Sequence, residues 1–205
     1  GRTTQVLYGA SPSAVTYAYD AVGNRTTMID ATGTTKYAYT ARNEVSRVES
    51  PGALVISYQY DAVGNRELMI DPDGGRTTST FDALNRVSVL MASNGTIYTS
   101  QYDQGGNLTT LLYGSDSEIT TYDALGRPAT MTQLHASTVI STIVDTYDAA
   151  GRKTKQVANG VTTSYTYDNA SRLTGQQTSG AFSTFTYDAV GNQTVKHHQG
   201  SLPAT

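Results

Sequence analysis

The chain has 205 residues, a formal net charge of −3 at neutral pH, a pI near 5.5 and no cysteine. These values exclude disulfide and thiol chemistry, and the absence of a basic run argues against nucleic-acid binding. Fifteen tyrosines, against three phenylalanines and no tryptophan, favour strands with half-exposed faces over a thick apolar core.

A six-residue motif recurs along the chain. "YDAVGN" stands at 19–24, 60–65 and 187–192, and six looser copies keep its phase. The steps between the aromatic residues of the copies are 20 or 21 residues, with one step of 25, which indicates a repeat architecture. We predict that these aromatic residues stack on one another as a ladder: Tyr19, Tyr39, Tyr60, Phe81, Tyr102, Tyr122, Tyr147, Tyr167 and Tyr187.

Each repeat is predicted to contain two short strands and two turns. In chain order, "RTTMI" and "TTKYAY" flank "DATG", "RELMI" and "RTTSTF" flank "DPDGG", and "VSVLMA" and "TIYTSQY" flank "SNG". Short β-prone runs between Gly, Asn and Asp are typical of hairpins. We expect an all-β chain of tandem antiparallel hairpins, with about 18 strands and essentially no helix, forming a long curled or spiralling sheet.

The two strands of a repeat differ in regularity. The second strand places Tyr37 and Tyr39, or Tyr58 and Tyr60, on one face. Five residues after each turn glycine, the first strand carries an apolar column that becomes polar near the end of the chain. Two explanations stay open: the last repeats are more exposed to solvent, or their strands pair in another register. The column reads Val6, Met28, Val48, Met69, Leu90, Leu111, Met131, Gln156, Gln176 and Lys196.

The D-x-x-G part of the motif predicts a specific turn. Its Asp accepts a hydrogen bond from the backbone two residues on, and its Gly takes a positive φ after a type I turn. Asn43 and Asn85 replace the Gly with a tolerant residue, and Ser171 is a poorer substitute. The predicted structural turn residues are Asp20, Gly23, Asp61, Gly64, Asp123, Gly126, Asp148, Gly151, Asp188 and Gly191.

One repeat is longer than the others. The interval 122–147 carries four or five extra residues within "QLHASTVISTIV", which predicts an enlarged hairpin. If the segment binds anything, this hairpin is the first candidate.

Both ends of the chain fall inside a repeat. Gly1 is in phase with Gly23 and Gly106, and the sequence stops half a repeat past Tyr187. We therefore expect residues 1–205 to be a single continuous array, with nine YD turns and partial repeats at both ends, taken from a longer protein.

The segments "YDALGRPATMTQ", "YDAAGRKTK" and "TTSYTYDNASRLTG" resemble the Rhs/YD-repeat family. The resemblance covers essentially the whole chain and implies consecutive β-hairpins in a spiralling strip. In large relatives the strip closes around a C-terminal toxin, and in others it belongs to surface or adhesion proteins. The cleavage module that usually finishes such a shell has no match here, since "DPDGG" at 71–75 reads as a mid-repeat turn.

No residue is predicted to serve catalysis, a cofactor or a metal. The Asp residues recur with the repeat, which favours turn formation over a single active-site constellation. Asp71 and Asp73 fall short of a calcium loop, and His135, His197 and His198 have no third ligand in view. Five N-x-S/T sites are weak evidence of glycosylation, because most arise from the turn motif itself: Asn24, Asn94, Asn107, Asn169 and Asn192.

The sequence therefore favours a non-enzymatic scaffold, a wall or stalk segment of a large secreted or cell-surface protein of bacterial type. One alternative is part of a hollow cocoon around a C-terminal toxin. Another is an adhesin that binds carbohydrate or protein through exposed tyrosine faces. The expected partners are the remainder of the same polypeptide or neighbouring copies, with toxin cargo or a surface glycan as further candidates. No nucleic acid, cofactor or membrane span is expected in this segment.

Overall fold

A computed structural model describes residues 2–8 and 13–200. In these residues the chain forms 19 strands and no helix, so the predicted all-β array of antiparallel hairpins is confirmed. No helix able to cross a membrane occurs in this part of the chain. The phase of Gly1, and the half-repeat tail beyond residue 200, lie outside the described residues.

The chain separates into two compact units between Thr99 and Ser100, inside strand β10 (Ile97–Tyr102). In the first unit every strand pairs antiparallel with the next one in sequence, and β9 pairs with the start of β10. The strands before β10 are β1 (Gln5–Tyr8), β2 (Ser13–Tyr19), β3 (Arg25–Asp30), β4 (Gly33–Tyr39), β5 (Val45–Ser50), β6 (Leu54–Tyr60), β7 (Arg66–Ile70), β8 (Arg76–Phe81) and β9 (Val87–Met91).

The second unit repeats the same meander. Each of its strands pairs antiparallel with its successor. The strands are β11 (Leu108–Tyr113), β12 (Asp116–Tyr122), β13 (Pro128–His135), β14 (Thr138–Tyr147), β15 (Lys153–Ala158), β16 (Val161–Tyr167), β17 (Leu173–Thr178), β18 (Ala181–Tyr187) and β19 (Gln193–Gly200). The single continuous array, and the curling of a long strip, stay predictions.

The pairing register does not change toward the end of the chain. In the first unit Tyr58 faces Met69 across β6 and β7. In the second unit the equivalent pairs are Asp145 with Gln156, Tyr165 with Gln176 and Phe185 with Lys196. Of the two explanations for the polar column, the altered register is therefore wrong, and polar side chains occupy the same positions as Met69.

Neither unit has an ordinary apolar core. Among the described residues Leu68, 5% exposed, is the only buried hydrophobic residue. The buried polar residues share the face that carries the tyrosines, because each lies an even number of positions from a tyrosine on its own strand. They are Thr35, Thr120, Asp145, Thr163 and Ser183. A sheet without a covering layer must be held together mainly by contacts between neighbouring strands and turns.

The enlarged hairpin is confirmed. Strands β13 and β14 contain 8 and 10 residues, and the extra length extends the ladder. The connecting residues Ala136 and Ser137 both have positive φ, +46° and +69°, as in the tight turns that match strand twist. The register shifts beside Leu134, which faces Val139 while Gln133 faces Ser141, and the intervening residue Ile140 is exposed.

Candidate functional site: the row of YD turns

The YD motif forms one type of turn throughout the chain. In the third copy the backbone N–H of Gly64 donates to the carbonyl of Asp61, and the N–H of Asp61 donates to the carbonyl of Asn65. The Asp61 carboxylate Oδ1 accepts from the N–H groups of Val63 and Asn65 at 2.9 and 2.8 Å. One carboxylate thus organises the whole five-residue loop.

The residue at the fourth turn position lies in the left-handed region. Gly64 has φ +99°, a conformation that is costly for a side chain with a Cβ. The same region is occupied by Gly23, Asn43, Asn85, Gly106, Gly126, Gly151, Ser171 and Gly191. The mid-repeat loop at 71–75 has the same geometry, and its Asp71 carboxylate accepts from the N–H groups of Asp73 and Gly75 at 3.2 and 2.6 Å.

Replacing Gly64 with valine is expected to reduce the free energy of unfolding by about 1–2 kcal/mol, because the turn requires a positive φ. A Cβ at this position would also stand 3.1 Å from Oε1 of Glu44. Val63, 70% exposed, provides the control, and Val63→Thr should have little effect. Chemical denaturation of both variants tests the assignment, and equal losses would contradict it.

The residue four positions after the Asp closes the turn with its side chain. In one class of turn this residue is Arg, and its guanidinium binds the carboxylate, as Arg152 Nε does to Asp148 Oδ2 at 2.7 Å. In the other class it is Asn, and Asn65 Nδ2 donates to Asp61 Oδ2 at 2.8 Å. The Arg turns begin at Asp82, Asp123, Asp148 and Asp168, and the Asn turns begin at Asp20, Asp61, Asp103 and Asp188.

In several turns the same side chain also binds the next turn. Arg152 Nη1 donates to the carbonyl of Asp168 at 3.1 Å, and Arg127 and Arg172 make the equivalent bonds to Asp148 and Asp188 at 3.2 and 3.3 Å. These bonds join the YD turns along one edge of the strands.

In the Asn class the bond to the next turn joins two side chains. Asn24 Nδ2 donates to Asn43 Oδ1 at 2.8 Å, and Asn65 Nδ2 donates to Asn85 Oδ1 at 2.9 Å. The fourth position of the following turn differs accordingly. It is Asn after these two Asn turns, but Gly or Ser after Arg127, Arg152 and Arg172. The bond from Arg to a backbone carbonyl and the bond between two Asn side chains are therefore alternatives. Each occurs together with its own residue type at the fourth position of the following turn.

In the turn that starts at Thr40, the donor and acceptor roles of the first and fifth side chains are reversed. Thr40 Oγ1 donates to Glu44 Oε2 at 2.9 Å and accepts from the N–H of Arg42 at 3.2 Å. Arg42 then reaches forward and donates to the carbonyls of Asp61 and Ala62. Arg42, two positions before Glu44, thus makes the contact with the next turn.

The tyrosine ahead of each turn is also bound to the preceding repeat. Tyr60 donates its hydroxyl to the carbonyl of Val45 at 2.8 Å. The equivalent bonds, all of 2.7–2.9 Å, are made by Tyr19, Tyr39, Tyr122, Tyr147, Tyr167 and Tyr187. Burial raises the pKa of Tyr60, although the charge of Arg66 opposes the shift.

An arginine of the preceding repeat faces several of these rings. The guanidinium carbon of Arg127 lies 4.5 Å from the ring centre of Tyr147, and Arg152 lies 5.0 Å from that of Tyr167. Arg172 is placed in the same way over Tyr187, at 4.8 Å. At these three rings the contact from one repeat to the next includes a cation–π contact, and the stacking of the aromatic residues as a ladder stays a prediction.

The turn carboxylates are held in their charged form. In Asp82 the hydrogen bond from the side chain of Arg86 is the largest cause of the lowered pKa of the carboxyl, and in Asp123 it is the hydrogen bond from the side chain of Arg127. In the Asn turn of Asp188 the hydrogen bond from the Asn192 amide is the main cause of the lowered pKa. The pKa is likewise lowered in Asp20, Asp61, Asp103, Asp148 and Asp168.

These shifts predict acid lability. A carboxyl whose pKa is lower in the folded state adds stability that is complete above its unfolded pKa of about 3.9, and that is lost as the pH falls through the folded pKa. The free energy of unfolding should therefore decrease as the pH falls below about 4. Urea denaturation at a series of pH values measures this loss. Asp123→Asn removes one titrating group and should give a shallower pH dependence, whereas constant stability across the range would contradict the assignment.

The three histidines that were considered as metal ligands either contact another side chain or are exposed. His135 Nδ1 lies 2.6 Å from Asp116 Oδ1, at the far end of the long hairpin. His198 Nδ1 lies 2.9 Å from Ser183 Oγ, and His197 is exposed on the last strand. No group of three or more metal-ligating side chains occurs among the residues that the structure describes.

An ion pair with a buried carboxylate joins the end of the long repeat to the next strand. Asp145 takes the position that holds tyrosine in other repeats, and its side chain is 4% exposed. Its carboxylate contacts Lys153 Nζ at 2.6 Å and accepts from Gln156 Nε2 at 3.0 Å. The pair was not predicted from the sequence, although the replacement of an aromatic residue at a periodic position was an available signal.

The side chains that bind one turn to the next were also missed from sequence. The turn prediction assigned roles to the Asp and the Gly of the motif, but none to the residue that follows the Gly. The available signal was the regular occurrence of Arg or Asn four positions after the Asp, together with the matched residue one repeat later.

Comparison with known proteins agrees with this geometry. The family model described as Teneurin YD-shell matches residues 66–197, which is more than half of the chain. No curated protein matches the chain.

Among solved structures, the chain is similar to a Tc holotoxin pore of Photorhabdus luminescens, with 15% identity and a TM-score of 0.60. The match covers 90% of this chain and 13% of that chain, and it shows the fold.

Two further similarities have lower TM-scores. A TcdB2–TccC3–Cdc42 crystal structure matches with 16% identity and a TM-score of 0.37, covering 91% of this chain and 16% of that chain. A porin-like protein from Bacteroides uniformis matches with 12% identity and a TM-score of 0.39, covering 95% and 92%. The resemblance to the YD-repeat family that the motifs indicated is confirmed, and the chain belongs to the Teneurin YD-shell family.

Proposed function

We propose that the chain is a non-catalytic wall segment of a shell built from YD repeats, in a secreted or cell-surface protein. The observation that carries this proposal is the use of the polar side chains. Arg152, for example, binds its own turn at Asp148, the next turn at Asp168 and the ring of Tyr167. Groups that could do chemistry are engaged in holding successive hairpins together.

An in-phase deletion tests the scaffold. Removing residues 148–167 joins Tyr147 to Asp168 and restores an intact YD turn. A repeat scaffold should survive this loss, because each unit contacts mainly its neighbours. The shortened chain should keep its strand signal in circular dichroism and unfold cooperatively.

Removing residues 148–157 is the matched control. This deletion takes out half a repeat and breaks the alternation of YD and mid-repeat turns. It should abolish cooperative unfolding. Equal damage from the two deletions would contradict a modular wall.

A more specific function is enclosure of a toxin at the C-terminal side of the shell. Its support is family membership together with the fold similarity to the holotoxin pore chain, of which this chain spans 13% of the length. The partners would then be the rest of the same polypeptide and the enclosed cargo. Limited proteolysis of a longer protein that contains this segment tests the idea, since enclosed cargo should resist cleavage until the wall is unfolded.

Adhesion through tyrosine faces has less support. The hydroxyl groups of the tyrosine row are bound to backbone carbonyls, and several rings are covered by arginine. Both contacts reduce the aromatic surface that a sugar could reach.

A further inference from the structure

Among the described residues, the junction between turns 103–107 and 123–127 shows neither type of bridge. Asn107 closes its own turn by donating from Nδ2 to Asp103 Oδ2 at 2.9 Å. The following turn carries Gly126 where the matched arrangement would place asparagine. Within the described part of the chain, no hydrogen bond joins the Asn107 side chain to turn 123–127. Asparagine is also too short to reach the next backbone carbonyl as Arg127 does.

A cleft of about 760 Å³ lies at this junction. It is polar and open, and both of its turns belong to the second unit. Its lining includes Asp103, Asn107, Thr109, Tyr122, Asp123 and Gly126. The glycines of the "DQGGN" turn, at positions 105 and 106, contribute no side chains to fill it.

The cleft presents groups that hold a guanidinium elsewhere in the row. The carbonyl of Asp148 accepts from both Gly151 N and Arg127 Nη1, at 3.0 and 3.2 Å. The carbonyl of Asp123 accepts from Gly126 N at 2.9 Å in the same way, and a carbonyl oxygen has a second lone pair.

The aromatic face is equivalent as well. Tyr122 donates its hydroxyl to the carbonyl of Leu108 at 2.7 Å, as Tyr167 does to that of Lys153 at 2.8 Å. The ring of Tyr167 is faced by the guanidinium of Arg152, whereas the corresponding position before Tyr122 holds Asn107.

We propose that this cleft binds the guanidinium group of an arginine side chain supplied by another protein segment. The carbonyl of Asp123 provides the acceptor, and the ring of Tyr122 provides the face. A planar guanidinium satisfies the acceptor and the ring together, which the compact ammonium of lysine does not. The row would then use one arginine from a partner where its own chain has none.

Titration of the full chain with the tripeptide Gly-Arg-Gly, followed by NMR of the backbone amides, tests the proposal. Saturating shifts confined to residues 103–110 and 119–126 are expected, with a Kd on the order of 1 mM for so small a probe. Gly-Lys-Gly has the same charge and should bind at least about tenfold more weakly. Equal binding of the two peptides would overturn the proposal. Free L-arginine should bind no more tightly than the tripeptide, and a much tighter complex would overturn the assignment to a protein segment.

Two variants complete the junction within the chain. Asn107→Arg supplies the guanidinium of the Arg class. Gly126→Asn supplies the partner of the Asn class, at a φ of +74° that is close to the +64° of Asn43. A Cβ at this glycine would meet Asn107 at no closer than 3.8 Å. Each variant should abolish the shifts, and if Asn107→Arg fails to fold, Gly126→Asn decides. Asn192→Arg, in the last turn, should leave binding unchanged, and arginine binding retained in folded Gly126→Asn would refute the site.

Discussion

Replacing Tyr60 with alanine is expected to lower the free energy of unfolding by about 3 kcal/mol. The ring is half-buried on the tyrosine face, and its hydroxyl donates to the carbonyl of Val45 at 2.8 Å. Removing it takes away both the packed aromatic surface and a hydrogen bond between successive repeats. Equilibrium denaturation measures the loss, and hydrogen exchange should show it mainly in the adjacent hairpins.

Tyr60→Phe separates the two contributions. This variant keeps the ring and loses only the hydroxyl, so a decrease of about 1 kcal/mol is expected. The alanine variant also distinguishes a scaffold from an adhesin. A mutant of unchanged stability that no longer bound a glycan array would favour the adhesin, whereas a destabilised mutant with no change in glycan binding would favour the wall segment.

Replacing Arg152 with glutamine is expected to reduce the free energy of unfolding by about 2 kcal/mol. The side chain is lost from three contacts at once, with the Asp148 carboxylate, the Asp168 carbonyl and the Tyr167 ring. Partial exposure of the ion pair, 29% for Arg152 and 23% for Asp148, keeps the effect below that of a buried network. Thermal and urea denaturation provide the measurement.

Two controls bracket the Arg152 effect. Arg152→Lys keeps the charge but loses the planar fork, so we expect an intermediate loss. Arg47 contacts Glu49 at 3.1 Å with a side chain that is 50% exposed, and Arg47→Gln should cost no more than about 0.5 kcal/mol. A loss for Arg152→Gln as small as that for Arg47→Gln would mean that the row of turns adds little to stability.

The polar contacts in the row of YD turns compensate for the missing apolar core. A single buried hydrophobic residue among those described cannot supply the burial that normally stabilises a domain of this size. Repetition increases the total stabilisation, because a modest contact that recurs at many junctions adds up along the array. The repetition of one turn also explains why the turn residues are the strongest signal in the sequence, since the geometry of a turn depends on residues that are close in sequence.

The sequence by itself determined the hairpins and the positions of their turns. An Asp such as Asp61 and a Gly such as Gly64 specify a loop within five residues, and alternation in the following strand specifies one tyrosine face. These features depend on neighbours in sequence, so a single repeat contains the necessary information. The extra length of the 122–147 interval was equally local, and it became the extended pair of β13 and β14.

Only the tertiary structure decided what each repeat does to the next. The bonds from Arg152 to the following turn, and the asparagine pair of Asn24 and Asn43, join residues 16 to 19 positions apart. Their formation depends on how neighbouring turns align, which a motif does not contain. The ion pair of Asp145 and Lys153 likewise arises because β14 and β15 bring the two side chains to the same face. A fixed period predicted that the repeats are neighbours, but only the distances between aligned side chains showed that an arginine faces each of the rings of Tyr147, Tyr167 and Tyr187.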